Sequence, residues 1–220
     1  MRWLKNILSK IKAALIAFPH LLIAFFKQFF KESLSAIKLA AICLVCALLL
    51  AGTYALTRGP IAKQEEKAAF ERMAAIFAEA DTFEPVTMDD NLRNELMKTG
   101  CDEVHEAYDA TGNVIGYVFV TRNFGYAGDI IVTSGFDLDG AVIQVIATAP
   151  DETPKLGKEV EKKEFTDQYT DVSAGEHAGE GSDCVDMISG ATISSKAVCV
   201  AFNAAVDAFQ TLSEKGVIGS

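Results

Sequence analysis

The chain has 220 residues, half of them hydrophobic, and a formal net charge of -10. That length accommodates one ordinary domain and a membrane anchor. The charge is unevenly spread: up to Lys38 seven basic residues stand against the single acid Glu32, whereas from Arg58 thirteen basic residues face twenty-nine acidic ones. A domain so acidic repels phosphate backbones and anionic headgroups, which excludes nucleic-acid binding.

Residues 1–35 mix lysines with Trp3, Phe18, Phe25, Phe26, Phe29 and Phe30 in segments too interrupted to span a membrane. They read as a cytoplasmic amphipathic segment on the inner membrane surface, or as an elongated helix end with no separate role. Residues 36–57 read as a transmembrane helix. Its core, Leu39 to Leu56, carries no charge, and 1.5 Å per residue takes it across about 27 Å of hydrocarbon. A cleaved signal peptide is the alternative, but the run starts well inside the chain and no clear cleavage site follows its small residues. Basic residues before the helix and an acidic domain after it place the N-terminus in the cytoplasm and the domain outside.

Residues 58–100 read as a helical stand-off and packing segment. Pro60 opens it, and Phe70, Met73, Ala74 and Phe77 give the helical recurrence of an amphipathic face. The domain proper is expected over 101–215. Two hairpins are predicted first, turning near Thr111 to Asn113 and at Asp137 to Gly140, each with alternating Val, Ile, Tyr and Phe around Asp, Asn and Gly. The stretch DETPKLGKEVEKKEF reads as a turn and a short charged helix, followed by a Gly-rich acidic loop over 173–183. Finally, Val198, Ala201, Phe202, Ala205, Val206 and Phe209 mark a helix over 194–212 with a buried stripe. The fold class is α+β.

Cysteine and histidine offer little chemistry. Cys43 and Cys46 lie in the apolar helix without a His or carboxylate beside them and read as packing residues. Cys101, Cys184 and Cys199 are odd in number, so at least one thiol is unpaired within the chain. His20, His105 and His177 form no ligand spacing, and no metal is assigned.

The informative stretch is Asp186-Met187-Ile188-Ser189-Gly190-Ala191-Thr192-Ile193-Ser194-Ser195, at the entry to the last helix. It offers several hydroxyls, and Gly190 and Ala191 leave the backbone bare where a helix N-terminus presents free N–H groups and partial positive charge. Hydroxyl residues before a helix most often serve only as caps. Asp186, Ser189, Gly190, Ala191, Thr192 and Ser194, however, match the pattern D-x-x-[ST]-G-A-T-x-[ST] and so resemble the flavinylation motif of the FMN-binding domain family. Gly125-Tyr126-Ala127-Gly128 is similar to that family's G-Y-G-G, and Glu152-Thr153-Pro154-Lys155-Leu156-Gly157 to its E-T-P-G-L-G. Ala127 and Lys155 each stand where the family pattern has Gly.

The resemblance, which covers most of 104–209, implies a single extracytoplasmic FMN-binding domain with antiparallel strands and a C-terminal helix behind the membrane helix. It implies FMN joined covalently through its phosphate to Thr192 by an FAD-dependent, Mg²⁺-requiring flavin transferase. By the same resemblance the cofactor site takes in Asp186, Ser189, Gly190, Ala191, Ser194, Ser195, Tyr126, Glu152, Thr153, Leu156 and Gly157. No side chain is assigned an acid–base catalytic role. The plan is similar to that of the G subunits of Rnf electron-transport complexes and, more distantly, to that of the C subunits of sodium-translocating NADH:quinone reductases. This implies an electron relay, with multi-helix membrane partners carrying the ion. A stand-alone extracytoplasmic carrier and a flavin-free membrane-tethered scaffold are the other readings.

Overall fold

The structure, a computed structural model, describes residues 2–172, 174–179 and 185–219, with side chains from Ser35 onward. Cys184 and positions 173 and 180–183 of the acidic loop therefore lie outside the described residues, as do the side chains of Trp3, His20 and the N-terminal phenylalanines. Internal contacts divide the chain into units 1–64 and 65–220.

Among the described residues the first unit is all helix, within α1 (Arg2–Ile76). The segment beginning at Ser35 is long and apolar enough to cross a membrane, and Leu44, Leu48 and Leu50 are exposed on it. The start expected at Pro60 is not seen, because the helix runs through that residue. A helical proline forfeits one bond, here to the Leu56 carbonyl. Nearby, Thr57 Oγ1 donates to the Thr53 carbonyl at 2.9 Å.

In the second unit the helix ends at Ile76, and the rest of the expected stand-off segment is not simply helical. It gives β1 (Thr82–Pro85) and then α2 (Asp90–Lys98), whose N-cap Asp89 accepts from the Leu92 N–H at 2.7 Å. There follow β2 (Cys101–Tyr108), β3 (Val114–Phe124), β4 (Asp129–Phe136) and β5 (Val142–Thr148). Together these form one antiparallel sheet in the order β1-β2-β3-β4-β5.

Both expected hairpins are present, and one piece of chemistry makes both turns. Asp109 Oδ1 accepts from the N–H groups of Thr111 (2.8 Å) and Asn113 (2.9 Å), and Asp137 Oδ1 from those of Asp139 (2.9 Å) and Ala141 (2.8 Å). The glycine three residues after each Asp, Gly112 or Gly140, takes the positive φ the turn needs.

After β5 come 3₁₀ turns at Gly157–Glu161 and Asp167–Asp171 around a single turn of helix, α3 (Lys163–Thr166). The last helix, α4 (Thr192–Glu214), begins two residues before the predicted start. Its stripe of Val198, Phe202, Ala205 and Val206 is buried against one face of the sheet. There Phe136 stacks on Phe209 at 5.5 Å and meets Phe119 edge-on at 5.4 Å. On the other face Met73, Ile76 and Phe77 bury Ala107 and Val118. Gly116 and Gly135 permit that approach, since a Cβ at either would collide with Phe77 or Ile76. The sheet thus holds α4 rigidly, and the first turn of α4 becomes a fixed platform.

Candidate functional site

At that platform the residues Ile188 to Ala191 form a turn closed by the Ala191 N–H donating to the Ile188 carbonyl at 3.0 Å. Gly190 sits in it at φ +80, a conformation that suits only glycine well. Ser195 braces the turn from within the helix. Its Oγ accepts from the Ile188 N–H at 3.2 Å and donates to the Ala191 carbonyl at 3.0 Å, and the side chain is buried. Asp186 is tied further back, its N–H donating to Gln168 Oε1 at 2.7 Å.

Thr192 is the first residue of α4 and is exposed. The N-cap is Ala191, and no side chain caps this end. The first-turn N–H groups are therefore left for an external acceptor, and the helix dipole makes an anion the favoured one.

Opposite this helix start lie two loops. The β3–β4 connection is closed by the Gly125 N–H donating to the Gly128 carbonyl at 2.8 Å, and it carries Tyr126 at 69 % exposure, just beyond Phe124, which ends β3 at 66 %. The second loop, Glu152 to Gly157, is held by the Thr153 carbonyl, which accepts from Leu156 N at 3.2 Å and Lys158 N at 3.1 Å. Within it Lys155 has φ +62, and among the described residues it is the only non-glycine with a positive φ. Lys155 thus takes on the left-handed strain that glycine would avoid. Ala127 does not have a positive φ, so the other departure from glycine is accommodated without strain.

Glu152 joins the two loops. It is 3 % exposed, and its Oε1 accepts from the N–H groups of Tyr126 (2.6 Å) and Ala127 (3.3 Å). Gly125 and Gly157 make room for it, since a Cβ at either position would overlap its carboxylate.

The three segments enclose a cleft of about 580 Å³ lined by Tyr126, Glu152, Thr153, Leu156, Gly157 and the run Gly190 to Ser194. This volume is in the range of cofactor sites, roughly 300–1,000 Å³. Stretches separated by more than sixty positions in the sequence thus line one cleft with Thr192. Asp186, Ser189 and Ser195 are outside the lining. Ser195 differs from the sequence expectation because it lies one helical turn beyond Thr192 on the inward face, where its hydroxyl serves the turn. Gln168, which pins the approach to the motif, has no local sequence signal. Ile193 occupies a variable motif position but also lines the cleft, 55 % exposed. A second cleft, of about 480 Å³, lies between α2 and β2 and is lined by Arg93, Leu96, Cys101 and His105 among others.

The fit to an FMN rests on these features. An uncapped helix start answers a phosphate, exposed bare backbone at Gly190 permits close approach, and Leu156, Ile193 and Tyr126 offer surface to an aromatic ring.

Comparison with known proteins bears on the same residues. The family model of the FMN-binding domain matches residues 125–207, and that of the RnfG N-terminal region matches 33–76. The chain is 34 % identical over 178 residues to the G subunit of an ion-translocating oxidoreductase complex from Methanosarcina acetivorans, covering 78 % of this chain and 90 % of that one. It is 30 % identical over 200 residues to the G subunit of the Na⁺-translocating ferredoxin:NAD⁺ oxidoreductase complex of Acetobacterium woodii, covering 86 % and 95 %. Among solved structures, that of Shewanella oneidensis NqrC is similar at 18 % identity and a TM-score of 0.45, covering 64 % of this chain and 86 % of that one.

Proposed function

The chain belongs to the family of G subunits of ion-translocating oxidoreductase complexes, and on that premise we propose that it is an electron-transfer component with one FMN joined through its phosphate to Thr192. One observation carries the site assignment: exposed Thr192 stands at an uncapped helix start and lines a cleft that the other two family-like loops complete.

The chain's own residues divide the work. The N–H groups at the start of α4 hold the phosphate, with the Ser194 hydroxyl inside the cleft and Ser189 on the turn beside it. Gly190 and Ala191 keep the backbone bare at the point of attachment. Tyr126, Leu156 and Ile193 shield the ring from water, and Glu152 and Thr153 supply hydrogen-bonding groups. Ser195 and Asp186 act through the turn, fixing where Thr192 stands. The flavin supplies the redox chemistry, taking up and passing on electrons singly or in pairs.

A covalent tether suits the setting. FMN is anionic, the domain is acidic, and a compartment outside the membrane is an open sink, so a freely bound flavin is both repelled and diluted. The α1 segment beginning at Ser35 anchors the chain, with the N-terminus in the cytoplasm and the domain on the outer side. Ion movement belongs to multi-helix membrane partners, because Leu39 to Leu56 has no charged side chain to form a path. A flavin transferase is the partner for maturation.

The test is expression of the full chain with a flavin transferase in the appropriate compartment, then denaturing electrophoresis under ultraviolet light. A fluorescent wild-type band and a dark Thr192→Ala band support the reading. A dark wild-type band beside a flavinylated control protein overturns it. The role in the complex is tested by deletion, which is expected to abolish ferredoxin-linked activity of the membranes.

A further inference from the structure

Glu152 is more deeply buried than any other ionisable side chain at the cleft, yet only one of its two oxygens is satisfied. Oε1 holds the Tyr126 and Ala127 N–H groups at 2.6 and 3.3 Å. Oε2 lies against Gly157 and near Ser194 Oγ, both part of the lining, and receives no hydrogen bond from the described residues. No Lys, Arg or His among the described residues forms an ion pair with it.

Oε2 is not among the buried side-chain atoms left without a partner, so it opens to the solvent of the cleft, where a ligand can supply the donor that the protein does not. Two glycines are also committed to accommodating the Glu152 side chain, because a Cβ at Gly125 would overlap Oε1 and one at Gly157 would overlap Oε2. The backbone is shaped around this carboxylate from both sides.

We infer that Glu152 is a two-ended positioning residue. Oε1 locks the β3–β4 loop and so fixes Tyr126 at the cleft mouth, while Oε2 is the acceptor for a hydrogen-bond donor of the bound flavin, a ribityl hydroxyl or a ring N–H. The inference rests on the reading that FMN occupies this cleft. Two consequences separate the two ends. Locking the loop is a property of the protein alone and does not need the flavin. The charge on Oε2 acts on the flavin, because an anion beside it disfavours the addition of electrons and holds the reduction potential down.

Glu152→Gln keeps an oxygen for the two N–H groups and removes the charge. Glu152→Ala removes both. Each is made in the full chain, and hydrogen exchange at Tyr126 and Ala127 is read in protein prepared without flavin transferase, so that loop locking is measured without flavin. The midpoint potential is read in flavinylated protein. Glu152→Ala is expected to speed exchange at the Tyr126 amide at least tenfold, whereas Glu152→Gln changes it little. Glu152→Gln is expected to raise the potential by the equivalent of about tenfold in the one-electron equilibrium, ~59 mV.

Unchanged exchange in Glu152→Ala overturns the Oε1 role. A flavinylated Glu152→Gln protein with the wild-type potential overturns the Oε2 role. If Glu152→Gln takes up no flavin, Glu152→Asp replaces it: the retracted charge is expected to raise the potential by less than the neutral side chain would, and an unchanged or lowered potential overturns the Oε2 role. A wild-type chain that remains dark on the denaturing gel fails the functional reading itself, and this is seen before any potential is measured.

Discussion

Gly157→Ala isolates the steric demand at the centre of the cleft. Gly157 does not have a positive φ, so the substitution introduces no left-handed backbone strain. The new Cβ would overlap Glu152 Oε2, lie 2.8 Å from Glu152 Cδ and reach within 3.0 Å of Ser194 Oγ. Something must move, and because two of the three atoms met belong to the Glu152 carboxylate, that group is the one displaced. Overpacking costs about 1–3 kcal/mol, and pulling the carboxylate off the Tyr126 N–H loses a charged hydrogen bond of about 1.5–3 kcal/mol. The expected destabilisation is therefore about 3–5 kcal/mol. Gly112→Ala is the opposite case, with φ +83 and nothing within 4 Å of its Cβ. It carries only the left-handed penalty of about 1–2 kcal/mol. Thermal unfolding of the full chain in detergent, followed by near-ultraviolet circular dichroism, reads both. At roughly 2–4 °C per kcal/mol for a unit of this size, Gly157→Ala is expected to lower the Tm by about 10 °C and Gly112→Ala by about 4 °C. Adding Glu152→Ala to Gly157→Ala is expected to recover part of the loss, because the collision partner is gone. A Gly157→Ala chain no less stable than Gly112→Ala refutes the packing argument.

Other consequences follow from the core and the turns. Phe202 is fully buried, 4.9 Å from the Tyr169 ring and 6.3 Å from that of Phe136, so Phe202→Ala is expected to cost about 3–5 kcal/mol in the same unfolding assay. A loss under about 1 kcal/mol contradicts the role of α4 as a rigid platform. Burial, with Asp102 and Glu103 adding to it, pushes the Cys101 thiol up to about 12, so the native chain at pH 8 is expected to resist alkylation there until it unfolds. Labelling at the rate of the unfolded chain contradicts this. The Thr111 hydroxyl and the Asn113 N–H lower the Asp109 carboxyl to about 2. A depressed folded-state value means that its contribution to the first hairpin is present above the unfolded value, near 3.9, and is lost as pH falls through about 2. An NMR titration placing its midpoint near 4 refutes that network.

The parts of the fold legible in the sequence were those whose signal is local. Asp109 and Asp137, each followed by glycine three positions on, announce their turns through side-chain bonds that span only a few residues. The small, apolar stripe from Val198 to Phe209 announces α4, although its start moved to Thr192 because the Ile188–Ala191 turn, rather than a side-chain cap, sets the boundary. By contrast β1 is four residues long, ends in Pro85 and has no alternating pattern, so it exists only because β2 pairs with it. In α2 only Leu92 and Leu96 are buried, too few to show a period, and its one local signal is the Asp89 cap. Pro60 misled because proline marks helix starts, whereas a helix held by many other bonds tolerates the loss of one. At the site, Thr192 and the segments around Tyr126 and Glu152 stood out as motifs. Their convergence in one cleft is tertiary information, as are the bond from Asp186 to Gln168 and the inward turn of Ser195.

The most direct measurement is peptide mass spectrometry of the flavinylated full chain, with fragmentation through the segment from Asp186 to Ser195. The account predicts a single adduct with the mass of FMN less one water, placed on Thr192 and absent from Thr192→Ala. An adduct on Ser189, Ser194 or Ser195, or an unmodified segment from a chain matured beside a working transferase, would contradict it.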